Sequence, residues 1–197
     1  MDPILLDLPM PIYTPRLCIK PREIGEGKIL NKAINESRDF LKAWMPFALN
    51  EQSIEDSELH CRRSLANFIM RTDMTLSIYS RDQKTFIGST GFHRINWEGP
   101  CVEIGYWVGE KHSGKGYVTE AVNAMTRYAF EVIKAVRVEI RCDSINLKSL
   151  AVMQRLGFAQ EGILKSHCAS PLGNARDTIV CARTSPDNLP SLEFSWG

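Results

Sequence analysis

Residues 102–122 decide the fold, and they read VEIGYWVGEKHSGKGYVTEAV. Up to Val108 the side chains alternate at the period of a β-strand, and from Val118 apolar residues recur every three or four positions, as on a helix with one buried face. Between these parts lie Gly114 and Gly116. Glycines permit positive φ, so successive N–H groups can point at one anion, with the positive end of the helix dipole behind them. This strand, turn and helix predict a pyrophosphate site.

A P-loop is one interpretation of this turn. Residues 109–116, GEKHSGKG, match the pattern G-x-x-x-x-G-K up to Lys115, but Gly116 stands where a Ser or Thr hydroxyl must reach a magnesium ion. Downstream, Glu139 and Arg141 interrupt the run VEIRCD at residues 138–143, so no apolar strand ends in an aspartate that could hold that ion. A nucleotide triphosphatase is therefore the minor hypothesis. An ordinary strand-to-helix turn is the structural alternative.

The same turn resembles motif A of the GCN5-related N-acetyltransferases (GNAT), whose Gln/Arg-x-x-G-x-G/A loop binds the pyrophosphate of acetyl-CoA. Here the loop reads KHSGKG, with Lys111 at the Gln/Arg position. Further family motifs follow in order: N-x-x-S at residues 146–149 and GFAQEG at residues 157–162. The TPRL sequence at residues 14–17 resembles the opening strand of the ribosomal-protein acetyltransferase (RimJ/RimL-like) branch.

The resemblance implies an α+β fold of the GNAT (acyl-CoA N-acyltransferase) type. Its mixed, mostly antiparallel sheet would splay at the central strands and be flanked by helices. We expect one domain over residues 13–184, an N-terminal arm over residues 1–12 and a tail over residues 185–197. In that tail Phe194 and Trp196 are expected to dock on the core or on a second subunit.

The periodicity along the chain predicts where the other elements lie. Helices are expected at residues 27–35, from Ser37 as an N-cap to Met45, and at residues 53–70 with Ser53 as the N-cap. The glycine at Gly105, inside a strand, indicates a bulge or a close approach of other atoms.

For the cofactor, the resemblance implies acetyl-CoA as co-substrate, without a metal. Its pyrophosphate would be bound mainly by backbone N–H groups of the glycine loop. Asn146 would be a further contact, although an N-cap for the following helix explains that residue equally well. The predicted cofactor-binding residues are Trp107, Val108, Lys111, His112, Ser113, Gly114, Lys115, Gly116, Tyr117, Val118 and Asn146.

Transfer of an acetyl group to an amine requires a base, because model α-amines have a pKa near 8 and are mostly protonated at neutral pH. Glu103 matches the position of a glutamate base in several family members; a structural glutamate paired with His93 or Arg94 is the alternative. The thioester oxygen would be met by an N–H of residues 107–108, freed by the local bulge. The resemblance assigns Ser149 to the leaving thiolate.

Composition sets broader limits. The 197 residues are 44% hydrophobic with a net charge of +1, which suits one globular domain and provides no general basic field for nucleic acid. Six scattered cysteines without a C-x-x-C motif predict reduced thiols instead of a zinc site or a disulfide framework. No segment has the ~20 apolar residues of a membrane span. We therefore expect a cytoplasmic monomer or homodimer.

The acceptor is the least determined feature. The resemblance favours the N-terminal α-amine of a ribosomal protein, and a small amine such as a polyamine, antibiotic or amino acid is the alternative. A non-catalytic CoA-binding module is a hypothesis from a different class, since a fold alone does not determine function. Specificity is expected to depend on residues 44–53 and 166–176.

Overall fold

The computed structural model describes residues 2–170 and 173–197. In this part of the chain nine strands form one sheet that carries helices on both faces. The helices are α1 (Gly27–Glu36), α2 (Arg38–Leu41), α3 (Ile54–Met70), α4 (Tyr117–Tyr128) and α5 (Leu147–Arg155). The strands are β1 (Ile12–Tyr13), β2 (Leu17–Pro21), β3 (Met74–Ser80), β4 (Phe86–Asn96), β5 (Cys101–Val108), β6 (Arg137–Asp143), β7 (Ala159–Ala169), β8 (Ala175–Arg183) and β9 (Ser195–Trp196).

The sheet has the order β7-β8-β6-β5-β4-β3-β2-β1-β9, and its neighbours are antiparallel except for β5 and β6. This parallel pair is short: Cys101–Glu103 lies against Arg137–Glu139, and no pairing follows. Beyond Glu103 the edge of β5 that faces β6 is therefore open. The predicted mixed sheet, splayed at its central strands, is confirmed.

Two apolar clusters hold the helices onto the sheet. The larger lies between the sheet and α4 and contains Phe92, Ile104, Met125 and Tyr128, each at most 1% exposed. The smaller lies on the opposite face beneath α1 and α3 and includes Leu30. Burial of these side chains is the main stabilising contribution, and it positions both helical layers against β5.

The predicted helices are present, but the one expected from Ser37 to Met45 covers only Arg38–Leu41 and is followed by a turn. Helix α3 begins with a capping box, in which the Ser53 hydroxyl accepts from the Asp56 N–H at 3.0 Å, as its sequence predicts. Ser37 is the N-cap residue of α2, as predicted, but its hydroxyl caps no N–H of that helix and accepts instead from the N–H of Glu110 at 3.0 Å. Helix α4 continues as a π-helical turn over Ala129–Ile133.

The predicted bulge at Gly105 is also wrong. The register of β5 against β4 is continuous from Val108, opposite Gly88, to Glu103, opposite His93. A glycine is required at position 105 by a close approach instead, since a Cβ there would lie 2.8 Å from the ring of His93. The open N–H groups of β5 result from the splay away from β6.

Both ends of the chain pack on the sheet. Strand β9 pairs with β1, and the Trp196 ring lies edge-on to Tyr128 with 5.7 Å between centroids. The Tyr128 hydroxyl donates to the carbonyl of Pro9 at 3.2 Å. Of the two expected positions for the tail, docking on the core is the one observed. No helix among residues 2–170 and 173–197 is long and apolar enough to cross a membrane.

The TPRL motif connects the first long strand to the start of α4. The Glu120 carboxylate accepts hydrogen bonds from the Thr14 hydroxyl at 2.6 Å and from the Arg16 Nε at 2.6 Å. The same guanidinium donates to the carbonyl of Lys115 at 2.9 Å and lies 4.7 Å from the Tyr117 ring centroid. The motif therefore fixes the glycine loop and the first turn of its helix.

We expect Glu120→Gln to destabilise the fold by about 2 kcal/mol, because it removes a largely buried carboxylate that accepts several hydrogen bonds. The loss is not larger because one partner, Arg16, is partly exposed and its ion pair is screened by solvent. The midpoint of thermal unfolding should fall by roughly 4–8 °C. Glu131→Gln is the matched control, because that glutamate is exposed in the same helical segment. Equal midpoints for the two variants would contradict this role.

Candidate active site

The glycine loop carries a row of open hydrogen-bond donors. Gly116 has φ 80° and is the N-cap of α4 without a side-chain cap. The first helical hydrogen bond runs from the Glu120 N–H to the Gly116 carbonyl. Within the described residues no acceptor takes the N–H groups of positions 114–119. Several open donors at the positive end of a long helix form a site for an anion.

This loop is held from its outer side. The Gly109 N–H donates to the Ile87 carbonyl at 2.9 Å, and the Lys111 ammonium pairs with Glu36 of α1 at 3.2 Å. A polar atom remains on the inner side: His112 Nε2 is buried and has no hydrogen-bond partner among the described residues. Burial, together with Lys111 and Lys115, lowers the pKa of His112, so its ring is neutral at pH 7.

A cavity of about 740 Å³ opens in front of this loop, between the open edge of β5, α4 and α5. We call it the cradle cavity. Lys111 and Lys115 do not belong to its wall, and the Lys115 carbonyl accepts from Arg16 instead. The predicted residues that do form the wall are Trp107, Val108, His112, Ser113, Gly114, Gly116, Tyr117, Val118, Asn146 and Ser149.

Two hydroxyl groups meet in the wall of the cradle cavity. The Ser149 Oγ lies 2.6 Å from the Tyr106 hydroxyl oxygen, and burial raises the pKa of Tyr106. Nearby, burial raises the pKa of the Cys142 thiol to about 11, so this cysteine is protonated. Asn146 is the N-cap of α5, and its Oδ1 accepts from the Ser149 N–H at 3.1 Å. The N-cap interpretation of Asn146 is therefore confirmed. Asn146 also lines the cradle cavity.

A second cavity of about 600 Å³ lies on the other face of the sheet, beneath α1 and α3, and we call it the α1–α3 cavity. Much of its wall comes from residues 45–52, within the segment 44–53 predicted to control specificity. Of the other predicted segment, residues 171–172 lie outside the described residues. The two cavities share Met45, Tyr106 and Trp107 as wall residues. They therefore meet at the open edge of β5.

Glu103 lies outside the walls of both cavities. Its Oε2 is 3.4 Å from Nε of Arg94 and 3.4 Å from Nε of Arg141, and it makes no hydrogen bond within the described residues. Burial raises the pKa of Glu103, and the two guanidinium groups partly oppose this shift. The predicted structural alternative, in which Glu103 pairs with Arg94, therefore agrees with one of the two ion pairs that Glu103 makes.

Sequence reasoning assigned no functional role to two groups in the α1–α3 cavity, and it named His93 only as a pairing partner of Glu103. One is His93, whose Nδ1 lies 2.6 Å from Oδ2 of Asp73. The other is Arg22, which is 1% exposed and donates to the hydroxyls of Ser77 and Ser89 at 3.4 and 3.0 Å. No sequence pattern could have identified either, because each contact joins residues at least 20 positions apart in the chain. Among residues 2–170 and 173–197, no group of three or more His, Cys, Asp or Glu side chains could hold a metal ion.

A splayed mixed sheet with a glycine loop at the splay defines the acyl-CoA N-acyltransferase fold. A sequence model of the family described as acetyltransferase (GNAT) domain matches residues 16–159. The chain therefore belongs to the GNAT acetyltransferase family, and it is an N-acetyltransferase.

Two relatives and one solved structure illustrate this similarity. The ribosomal-protein-serine acetyltransferase of Escherichia coli is 30% identical over 142 residues, 70% of this chain and 77% of the relative. The [ribosomal protein uS5]-alanine N-acetyltransferase of the same species is 29% identical, over 79% of this chain and 80% of the relative. A structure of RimL, a ribosomal L7/L12 alpha-N-protein acetyltransferase in complex with coenzyme A, has a TM-score of 0.82 at 19% identity and covers 89% of this chain and 97% of that one.

Proposed function

We propose that this enzyme moves the acetyl group of acetyl-CoA to the N-terminal α-amine of a protein, with a ribosomal protein in the cytoplasm as the favoured acceptor. The observation that carries the proposal is the meeting of two cavities at Tyr106 and Trp107. The cradle cavity has the open donors that suit a pyrophosphate, and the α1–α3 cavity leaves room for an amine on the other side of β5. The relatives named for ribosomal-protein substrates support the choice of acceptor.

In the proposed reaction the amine attacks the thioester carbon directly, so that a C–N bond forms while the C–S bond breaks. An N–H of the Trp107 and Val108 segment would donate to the carbonyl oxygen, because β6 no longer pairs with this part of β5. Ser149, hydrogen-bonded to Tyr106, would supply a proton to the departing thiolate. Both hydroxyl groups are protonated at neutral pH, as this role requires.

Glu103, the base that the resemblance implies, would act on the amine proton through water or after a neighbouring side chain has taken that proton up. Its position outside both cavity walls excludes direct contact with an amine in the α1–α3 cavity as the wall stands. A water-mediated role is compatible with the side chain of Glu103, which is 18% exposed.

A small amine is the second candidate acceptor. The α1–α3 cavity measures about 600 Å³, within the size range of small-molecule sites. A polyamine, an antibiotic amine or an amino acid could occupy such a volume as a whole molecule, whereas a protein acceptor would place only its N-terminal residues there. Cavity size alone therefore favours neither acceptor.

The test uses ribosomal proteins that lack N-terminal acetyl groups, incubated with the enzyme and acetyl-CoA, and mass spectrometry to locate the acetyl group. We expect acetylation of an α-amine and none of lysine side chains. The same proteins with chemically blocked N-termini are the control, since they keep their lysines. Acetylated polyamines or amino acids with unmodified proteins would replace the proposal by the small-amine alternative, and no product with any acceptor would contradict both.

A further inference from the structure

The wall of the α1–α3 cavity contains a histidine that a carboxylate holds in one orientation. His93, on β4, has its Nδ1 2.6 Å from Oδ2 of Asp73, and this aspartate also accepts from the Thr75 hydroxyl at 2.9 Å. Burial raises the pKa of Asp73, but hydrogen bonds from His93 and Thr75 outweigh it, and the net direction is down. An ionised carboxylate only accepts, so Nδ1 carries the proton and Nε2 of the neutral ring has a free lone pair.

Two glycines provide the space in which this ring lies. A Cβ at Gly105 would be 2.9 Å from His93 Nε2, and a Cβ at Gly91 would be 3.0 Å from the same nitrogen. Nε2 has no hydrogen-bond partner among the described residues. Gly105 lies two residues before Trp107, where the two cavities meet. The free nitrogen is thus close to the place where an amine must approach the thioester.

His93 and Glu103 are the two candidate bases on this face of the sheet, and they differ in their position relative to the α1–α3 cavity. Both side chains project from the same face of the sheet, because His93 and Glu103 are directly opposite each other in the β4–β5 register. His93 lines the α1–α3 cavity and its side chain is 32% exposed, whereas Glu103 lies outside that wall between two arginines. Of these two side chains, His93 is therefore the one that offers a free lone pair to the α1–α3 cavity.

We infer that the His93 imidazole, oriented by Asp73, is the base that removes a proton from the acceptor ammonium. The inference rests on the proposed function, since it requires an amine in the α1–α3 cavity. The ammonium gives one proton to Nε2, and its nitrogen lone pair attacks the acetyl carbon while the thiolate leaves with the C–S bonding electrons. The thiolate takes its proton from Ser149, the second proton released by the nitrogen restores the Ser149 hydroxyl, and His93 releases its proton to solvent. The products are the amide, the free thiol and one proton.

Charged and titratable groups from several elements surround the ring. Asp73 precedes β3, Glu103 lies on β5, and His60 on α3 interacts electrostatically with Asp73. Further charged groups in the wall of the same cavity are Arg22, Glu51 and Asp56. The test therefore compares each variant with the wild type at the same pH.

The test measures kcat/KM for a synthetic peptide with a free α-amine, at saturating acetyl-CoA, across pH in the wild type and His93→Gln. We expect the variant to be about 100-fold slower near pH 7 and to approach the wild-type value above about pH 9, where the amine is neutral without a base. Asp73→Asn should give a deficit of about 10-fold with the same pH trend, because it positions the ring. Exogenous imidazole should partly restore His93→Ala, which keeps the test valid if one variant folds poorly.

A His93→Gln deficit that is constant with pH would overturn the inference, because a structural defect does not depend on the protonation of the acceptor. A pH-dependent deficit in Glu103→Gln but not in His93→Gln would assign the base to Glu103. His60→Gln is the comparison within the same wall, and its ratio to wild type should not change with pH. Failure of the wild type to acetylate any amine would instead remove the proposed function, so the two failures are distinguishable.

Discussion

Replacement of Gly116 by valine is expected to abolish acetyl-CoA binding, with the Kd raised at least about 100-fold. Gly116 has φ 80°, a conformation that β-branched residues rarely adopt, and a Cβ there would lie 3.3 Å from Nη2 of Arg16. The valine would rotate the loop and displace the N–H groups at the start of α4. Loss of two charge-assisted hydrogen bonds, each about 1.5–3 kcal/mol, accounts for the expected change in affinity.

Isothermal titration with acetyl-CoA measures this effect directly, and circular dichroism shows whether the variant folds. Gly99→Val is the matched control, because Gly99 lies in the β4–β5 turn with no atom within 4 Å of its Cβ position and outside both cavities. Gly99→Val should bind acetyl-CoA with the Kd of the wild type. Retained affinity in a folded Gly116→Val protein would show that the loop does not bind the pyrophosphate.

Replacement of Gly105 by valine is expected to lower kcat/KM for the acceptor at least about 100-fold while acetyl-CoA affinity stays close to the wild-type value. The new Cβ would lie 2.8 Å from Cδ2 of His93, so the imidazole must move. The added methyl groups would also enter the α1–α3 cavity next to Trp107. The glycine loop is a separate part of the chain and should keep its open donors.

The decisive comparison is between acetyl-CoA binding and acceptor turnover in the same protein sample. Gly162→Val is the matched control, since this glycine also lies in a strand but has no atom within 4 Å of its Cβ position. Its turnover should equal that of the wild type. If Gly105→Val turned over normally, the acceptor would not approach β5 from the side of His93. If it lost acetyl-CoA binding as well, the two cavities would not be independent.

The elements that local periodicity predicts are present in the structure. The alternation that ends at Val108 and the helical spacing that begins at Val118 correspond to β5 and α4. Such patterns are local, because burial of one face of a strand or helix requires apolar residues at the period of that element. The glycines of the turn are also a local signal, since the ability to adopt positive φ belongs to glycine itself.

Long-range contacts could not be predicted in this way. The bond between Tyr106 and Ser149 joins residues 43 positions apart, and nothing near either residue indicates the other. The prediction of a bulge at Gly105 failed for the same reason, because the ring that requires a glycine there belongs to β4. The role of TPRL also depends on a distant partner, Glu120.

From the sequence alone, local spacing indicated the glycine loop with its strand and helix, and the resemblance of several motifs to the GNAT acetyltransferases indicated the fold class and the family. Only the tertiary structure decided which side chains line the α1–α3 cavity. It placed Glu103 between two arginines and His93 in the cavity wall, although the two are directly opposite on neighbouring strands. The open edge of β5 results from the early end of its pairing with β6, a relation between strands that no single segment encodes.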